Sequence, residues 1–283
     1  MSLTVLDSLA PLAQHYDALL CDAWGVIHNG VALVPGIETA LQRFREERGP
    51  VVILTNAPRP SSIIPAQLDR LGLPRGAYDA IVTSGDATRA AIEERLPAPA
   101  FRLGPEKDEA LYEGVRIDFA PMDRAAFIVC TGLFDDQTEE PSEYRALLGE
   151  GVARGLPMIC ANPDVVVNWG GRIVYCAGAL AEIYAELGGE VIYGGKPHKP
   201  IYDLSMRAIE ATRGEAVPPS RILAVGDGLK TDIAGANASG IDALFVAGAG
   251  GIHEGAATAE ALSKTLQEAN VSAVAAMETL QWR

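Results

Sequence analysis

Two short apolar runs, Ala18 to Cys21 and Val51-Val52-Ile53-Leu54, are separated by a helix-period segment, Ile37 to Glu47, in which Ile37, Leu41 and Phe44 share one face. Uninterrupted apolar runs of this length suit strands buried on both faces. Strand, helix and strand in such a span form a βαβ unit, whose right-handed crossover commits the chain to a parallel sheet. Pro35-Gly36 opens the helix and Gly49-Pro50 ends it.

The same alternation continues along the chain. A helix over Ser61 to Leu71 and a strand at Ala80 to Val82 follow, and then a helix over Ala87 to Arg95. Beyond the Pro-rich passage Leu96 to Pro99, strands near Ala100 to Leu103, Ala126 to Cys130 and Pro157 to Cys160, with helices at Ser142 to Arg154 and Ala179 to Leu187, read as a second α/β unit inserted into the first. A crossing near Val191 to Tyr193 returns to the first unit. Helix Ile201 to Ala211, strand Ile222 to Val225, helix Asp232 to Ser239 and strand Ala243 to Val246 complete it, and a tail from Thr258 packs on the core. The expected division is 1–85 and 191–283 for the core and 86–190 for the insertion. Residues 1 to 17 read as a short amphipathic helix, and Val31 to Val34 as a hairpin arm against Val26 and Ile27.

With 48% apolar residues in 283, such a chain can bury its core without staples. Cys21, Cys130, Cys160 and Cys176 have neither CxxC nor zinc-like His spacing and read as small buried hydrophobes. A formal charge of −14 with no basic run argues against nucleic acid or an anionic membrane as partner. No signal-peptide pattern and no long apolar span occur, so the expectation is a cytoplasmic protein with reduced thiols.

In an open parallel sheet, ligands bind beyond the carboxyl ends of the strands. Three expected strands end there in polar groups: Asp22, Thr55-Asn56 and Asp227. Lys196 precedes a helix that reaches the same edge, and Thr231-Asp232 open the helix after Asp227, where either could also serve as its N-cap. These groups suit phosphoryl transfer. Two carboxylates can hold Mg²⁺, one of them can attack phosphorus, and a hydroxyl and an ammonium can grip phosphoryl oxygens. A bound cation would also let an acidic protein accept an acidic substrate.

Asp22-x-Trp24-Gly25-Val26, Leu54-Thr55-Asn56, Gly195-Lys196-Pro197 and Gly226-Asp227-x-x-x-Thr231-Asp232 resemble, in order, the four motifs of the haloacid-dehalogenase-like superfamily. The insertion is similar to the C2-type cap of its subfamily IIA, the NagD-like and p-nitrophenylphosphatase-like phosphatases. Asn162-Pro163-Asp164 and Cys176-Ala177-Gly178-Ala179-Leu180 resemble that subfamily's cap segments. The resemblance implies a Rossmann-like core, Mg²⁺ and a small phosphorylated metabolite as substrate. By the same resemblance Asp22 is nucleophile and metal ligand, and Thr55 and Lys196 grip phosphate. Asp227, Asp232 and the backbone carbonyl of Trp24 complete the metal set, Asp232 either as a ligand or as a partner holding one, while Asn56, Asn162, Asp164 and Gly178 face substrate. Proteins of this kind often pair through the cap, so a homodimer belongs to the same expectation.

One position departs from the pattern. The family's phosphatases usually carry a second Asp two residues after the nucleophile, where this chain has Trp24. Indole cannot exchange a proton at neutral pH, and losing such a group typically costs about 10²- to 10⁴-fold in rate. Slow hydrolysis of poor leaving groups follows, with His28 or a cap residue as candidate replacements. The alternative is a hydrolysis-deficient protein that binds phosphate esters or regulates through them. A nicotinamide-dependent dehydrogenase needs a Gly-rich turn where Asp22 stands, and a P-loop NTPase needs GxxxxGK[ST]; the chain has neither.

Overall fold

A computed structural model describes residues 3–169, 172–248 and 258–283. The chain runs α1 (Ala10–Ala13), β1 (Ala18–Asp22), α2 (Ile37–Glu47), β2 (Val51–Thr55), α3 (Ile64–Leu71), β3 (Ala80–Thr83) and α4 (Ser84–Glu93). Next come β4 (Ala100–Leu103), β5 (Phe127–Cys130), α5 (Arg145–Ala153), β6 (Met158–Cys160), β7 (Val166–Trp169), β8 (Arg172–Tyr175), α6 (Ala177–Glu186) and β9 (Val191–Tyr193). It ends with α7 (Lys199–Arg213), β10 (Ile222–Gly226), α8 (Ala234–Ala238), β11 (Asp242–Val246), α9 (Ala259–Glu268) and β12 (Ala275–Met277).

Six strands form one parallel sheet in the order β12-β11-β10-β1-β2-β3. Its strands alternate their side chains between two apolar layers, as the period of two requires. Leu19, Cys21, Val51 and Ile53 face α2, where Ile37, Leu41 and Phe44 are fully buried. Ala18, Leu20, Val52 and Leu54 face the opposite layer, with Ile201, Tyr202 and Ile209 of α7. Burying a side chain such as Phe44 contributes roughly 1.5–3 kcal/mol, and both layers are built of such residues. A sheet covered on both faces is the α/β architecture expected from the apolar runs.

The inserted unit has its own parallel sheet, β4-β5-β6-β9, with α5 and α6 on one side and Ile92 of α4 on the other. β9 belongs here: Val191–Tyr193 pairs with Met158–Cys160, so the expected return to the core at that strand comes one element later, through Gly194-Gly195. Apolar content cannot tell which of two parallel sheets a short strand joins.

Three other expectations shift. The helix expected over residues 1 to 17 shrinks to Ala10–Ala13, because Val5 bridges Ala276 beside β12 and Pro11 sits at the start of the helical turn. α4 begins at Ser84 rather than Ala87, since Thr83 and Asp86 form a reciprocal capping box. The arm after Asp22 is a loop tied by single contacts, Val34 N–H to Ile27 O (2.9 Å) and a bridge between His28 and Leu33, rather than paired strands. The antiparallel hairpin β7-β8 was not anticipated, though Val166-Val167-Asn168-Trp169 and Arg172-Ile173-Val174-Tyr175 flank a Gly-Gly pair, a readable hairpin signal. All four cysteines are buried and unpaired. Among the described residues no helix is long and apolar enough to cross a membrane.

Candidate active site

β1 lies between β10 and β2, where the strand order reverses, so its carboxyl end opens into the crevice that an α/β sheet leaves at its switch point. Register aligns Asp22 with Leu54 and Cys21 with Val225. Asp22, Thr55 and Asp227 therefore emerge side by side at one edge. Asp22, Asp227 and Asp232 each place a carboxylate oxygen within 4.8 Å of the other two, and all three residues are buried.

Lys196 enters from the loop before α7 and binds the cluster directly. Its ammonium donates to Asp22 Oδ1 at 2.5 Å, Asp232 Oδ1 at 2.6 Å and Leu54 O at 3.3 Å. Asn56 fixes the lysine's backbone: its Oδ1 accepts from the Lys196 N–H at 2.7 Å, and its Nδ2 donates to Lys196 O at 3.2 Å. The same Nδ2 donates to Asp164 Oδ1 at 2.9 Å, joining the core to the inserted unit.

Asp232 is no N-cap. α8 starts at Ala234, after a wide turn over Leu229–Ile233, and Asp232 Oδ2 accepts from Gly228 N–H at 3.1 Å and from the Thr231 hydroxyl at 3.4 Å. The wide turn directs this carboxylate back toward Lys196. Gly25 is needed for a similar reason. Its φ of +87° is left-handed, and a Cβ there would lie 2.2 Å from Asp227 Oδ2. The carboxylate can approach the backbone after β1 only because that residue has no side chain.

The electrostatics are those of an anionic pocket under-neutralised by its own lysine. Burial, then repulsion from Asp232, pushes the Asp22 carboxyl well above the usual carboxylate range against the pull of Lys196. Burial and Asp232 likewise push Asp227 up to about 8. Burial opposes the charge on Lys196, yet Asp22 and Asp232 raise its pKa well above the ordinary lysine value. Three carboxylates against one ammonium, all hard oxygen donors converging on one point, fit a divalent cation such as Mg²⁺.

Two cavities meet at this edge. One of about 50 Å³ is walled by Asp22, Thr55, Asn56, Lys196, Asp227 and Asp232. The other, about 240 Å³, lies between the core and the inserted unit and is lined by apolar groups such as Ala57, Ile64, Leu133 and Val174, with Arg59, Lys107 and Asp136 among its polar walls. Arg59 pairs with Asp108, and Lys107 with Asp136, so these charges are already partnered. Sequence reasoning did not single out this second set, because nothing in their local patterns distinguishes them from surface charges.

Trp24 stands beside both cavities, and its indole N–H donates to Asn168 O of β7 at 3.0 Å. His28 packs edge-on against it, with ring centroids 5.3 Å apart, and its Nδ1 accepts from Gly30 N–H at 3.0 Å. Burial lowers the His28 pKa from 6.5 to about 4, so at neutral pH it is an uncharged imidazole, poorly suited to replace a missing acid. Asn162 Oδ1 accepts from Asp164 N–H at 3.0 Å and lines the larger cavity. Gly178 lines neither cavity. It sits beneath the loop at the start of α6, donating its N–H to Asp164 O at 3.1 Å, and a Cβ there would lie 2.3 Å from Pro163 O. It supports the loop that bears Asp164.

The buried imidazole has a measurable consequence. The unfolded chain binds a proton at His28 near pH 6.5 while the folded one does so only near 4, so its contribution is full above 6.5 and is lost as pH falls through that window. His28→Asn keeps an acceptor for Gly30. Urea unfolding at pH 7 and pH 5 is expected to show wild type losing roughly 1–3 kcal/mol more than the variant. An equal loss would mean the imidazole is not held neutral.

A haloacid dehalogenase-like hydrolase family model matches residues 19–118, and a HAD-hydrolase-like model matches 193–272. A haloacid dehalogenase-like hydrolase from Brucella suis 1330 is 43% identical, with a TM-score of 0.88 over 97% of this chain and 99% of that one. The ribonucleotide monophosphatase NagD of Escherichia coli K12 is 25% identical over 81% of this chain and 86% of its own. A p-nitrophenyl phosphatase from Archaeoglobus fulgidus shares the fold, at 20% identity and a TM-score of 0.70 over 93% of this chain and 96% of that one. With motif-bearing segments matched at both ends and a close full-length counterpart, the chain belongs to the haloacid-dehalogenase-like hydrolases, in their NagD-like subfamily IIA.

Proposed function

We propose that the protein is a Mg²⁺-dependent phosphatase of small phosphate monoesters, acting through an aspartyl phosphate on Asp22. The observation that carries this reading is the junction of Asp22, Lys196 and Asp232 at the sheet's switch point, opening on a cavity of about 50 Å³. The monophosphatase and phosphatase names of the relatives support it.

In this reading Asp22, Asp227, Asp232 and the Trp24 carbonyl would hold Mg²⁺, which supplies charge neutralisation for the phosphoryl oxygens. Asp22 attacks phosphorus through a carboxylate oxygen, and the ester P–O bond breaks. Lys196 holds the nucleophile in place and stabilises charge as it develops, while Thr55 and nearby backbone N–H groups take the equatorial oxygens. Water then attacks phosphorus and frees Asp22. Asn56, Asn162 and Asp164 border the space for the alcohol portion. Because Trp24 stands where the family's acid is usual, turnover of poor leaving groups is slow. Four unpaired cysteines fit a reducing, cytoplasmic setting.

The test is steady-state hydrolysis of phenyl and alkyl phosphates with Mg²⁺ and with EDTA. Turnover with Mg²⁺, abolished by EDTA and restored by excess metal, is expected, with the aryl ester preferred by about 10²-fold. A protein that binds Mg²⁺ and phosphate but turns over neither ester would instead be the binding or regulatory form.

A further inference from the structure

Trp24, Thr55, Asp164 and Val167 line both cavities and so form the neck between them. If the phosphoryl group occupies the smaller cavity and the alcohol the larger, the bridging ester oxygen lies in this neck. Of those residues only Asp164 carries an ionisable group. We propose that Asp164, from the inserted unit, delivers the proton to the leaving-group oxygen and then takes one from the attacking water, standing in less efficiently for the acid missing at Trp24. This rests on the phosphatase reading.

The local structure holds Asp164 for that task. Its Oδ1 accepts from Asn56 Nδ2 at 2.9 Å, its backbone N–H donates to Asn162 Oδ1, and its carbonyl accepts from Gly178. The carboxyl so held belongs to a residue that lines both cavities. Asn56 is itself clamped to the Lys196 backbone, so the carboxyl is located relative to the group that grips Asp22. Burial raises the Asp164 pKa against the pull of Lys196 and the Asn56 hydrogen bond, with Asp232 adding to the rise, which favours the protonated form a donor needs. The other ionisable candidates are worse placed. Asp108 is tied to Arg59 away from the neck, and His28 is neutral with Nδ1 engaged.

The step balances. As the bond from Asp22 to phosphorus forms, the ester P–O bond breaks and the Asp164 proton moves to the departing oxygen, giving the alcohol. As water attacks, its proton passes to the Asp164 carboxylate, its oxygen bonds phosphorus and the Asp22–P bond breaks. Inorganic phosphate leaves and the protonated carboxyl is regenerated.

Asp164→Asn preserves the acceptor for Asn56 and the side chain's size but cannot cycle a proton. It is expected to lower kcat/KM, which reports phosphoryl transfer to Asp22, by about tenfold or more beyond its effect on phenyl phosphate when the ester is an alkyl phosphate. With phenyl phosphate it should also show a burst of phenol near one per enzyme, since water attack is slowed. Equal losses on both esters, or none, would overturn the role of Asp164 while leaving the phosphatase reading intact, because wild-type turnover is measured alongside. A wild type inert on both esters would remove the phosphatase reading and this role with it.

Discussion

Asp22→Asn lowers Mg²⁺-dependent hydrolysis of phenyl phosphate by about 10⁴-fold or more, the scale on which loss of a covalent nucleophile is felt. The amide matches the carboxylate in shape, so Lys196 Nζ keeps an acceptor where Asp22 Oδ1 now lies 2.5 Å away. What disappears is the oxygen nucleophile and one of three clustered charges. In metal-free protein burial, and after it repulsion from Asp232, already disfavours charge on Asp22 and Asp227, so replacing the Asp22 carboxyl by an amide is not expected to lower the thermal midpoint. Lost turnover with an undiminished midpoint separates chemistry from folding. If the variant retained a tenth or more of the wild-type rate, another group would be attacking phosphorus.

Trp24→Asp raises alkyl phosphate hydrolysis by up to about 10²-fold, by returning a carboxyl to the position two residues after the nucleophile. The gain is smaller on phenyl phosphate, whose leaving group departs with little protonation. A structural cost accompanies it. The indole N–H no longer holds Asn168 O of the β7-β8 hairpin, and the edge-on contact with His28 is lost. Truncating a packed Trp costs about 3–5 kcal/mol, and this partly exposed one falls toward the lower end. The measurement pairs kcat/KM on both esters with urea unfolding. Stability lost with no shift in ester preference would mean that the indole is not what limits proton transfer.

The core was legible because its strands are buried on both faces and announce themselves as apolar runs, and because three of them lead into polar residues at the same edge. Asp22, Thr55, Asn56, Lys196, Asp227 and Asp232 were found on that logic, and the structure brings all six to one small cavity. Asn162 and Asp164 came from resemblance alone, and they border the larger cavity. Gly178 came from the same resemblance and packs against the loop bearing Asp164 without lining either cavity, a distinction that one dimension does not carry. β9 was assigned to the wrong sheet since three apolar residues carry no information about their partner strand. The Arg59–Asp108 pair was invisible for a related reason, since it forms only where the inserted unit meets the core, and the Lys107–Asp136 pair because its two members lie 29 residues apart.

Phosphoryl transfer to Asp22 is tested by quenching wild-type protein in acid during turnover of phenyl phosphate with Mg²⁺ and mapping the added phosphoryl group by mass spectrometry. The label is expected on Asp22, lost on treatment with hydroxylamine, absent in Asp22→Asn and enriched in Asp164→Asn. Phenol and phosphate released together in the pre-steady state, with Asp22 unmodified in every sample, would rule out an aspartyl phosphate on Asp22.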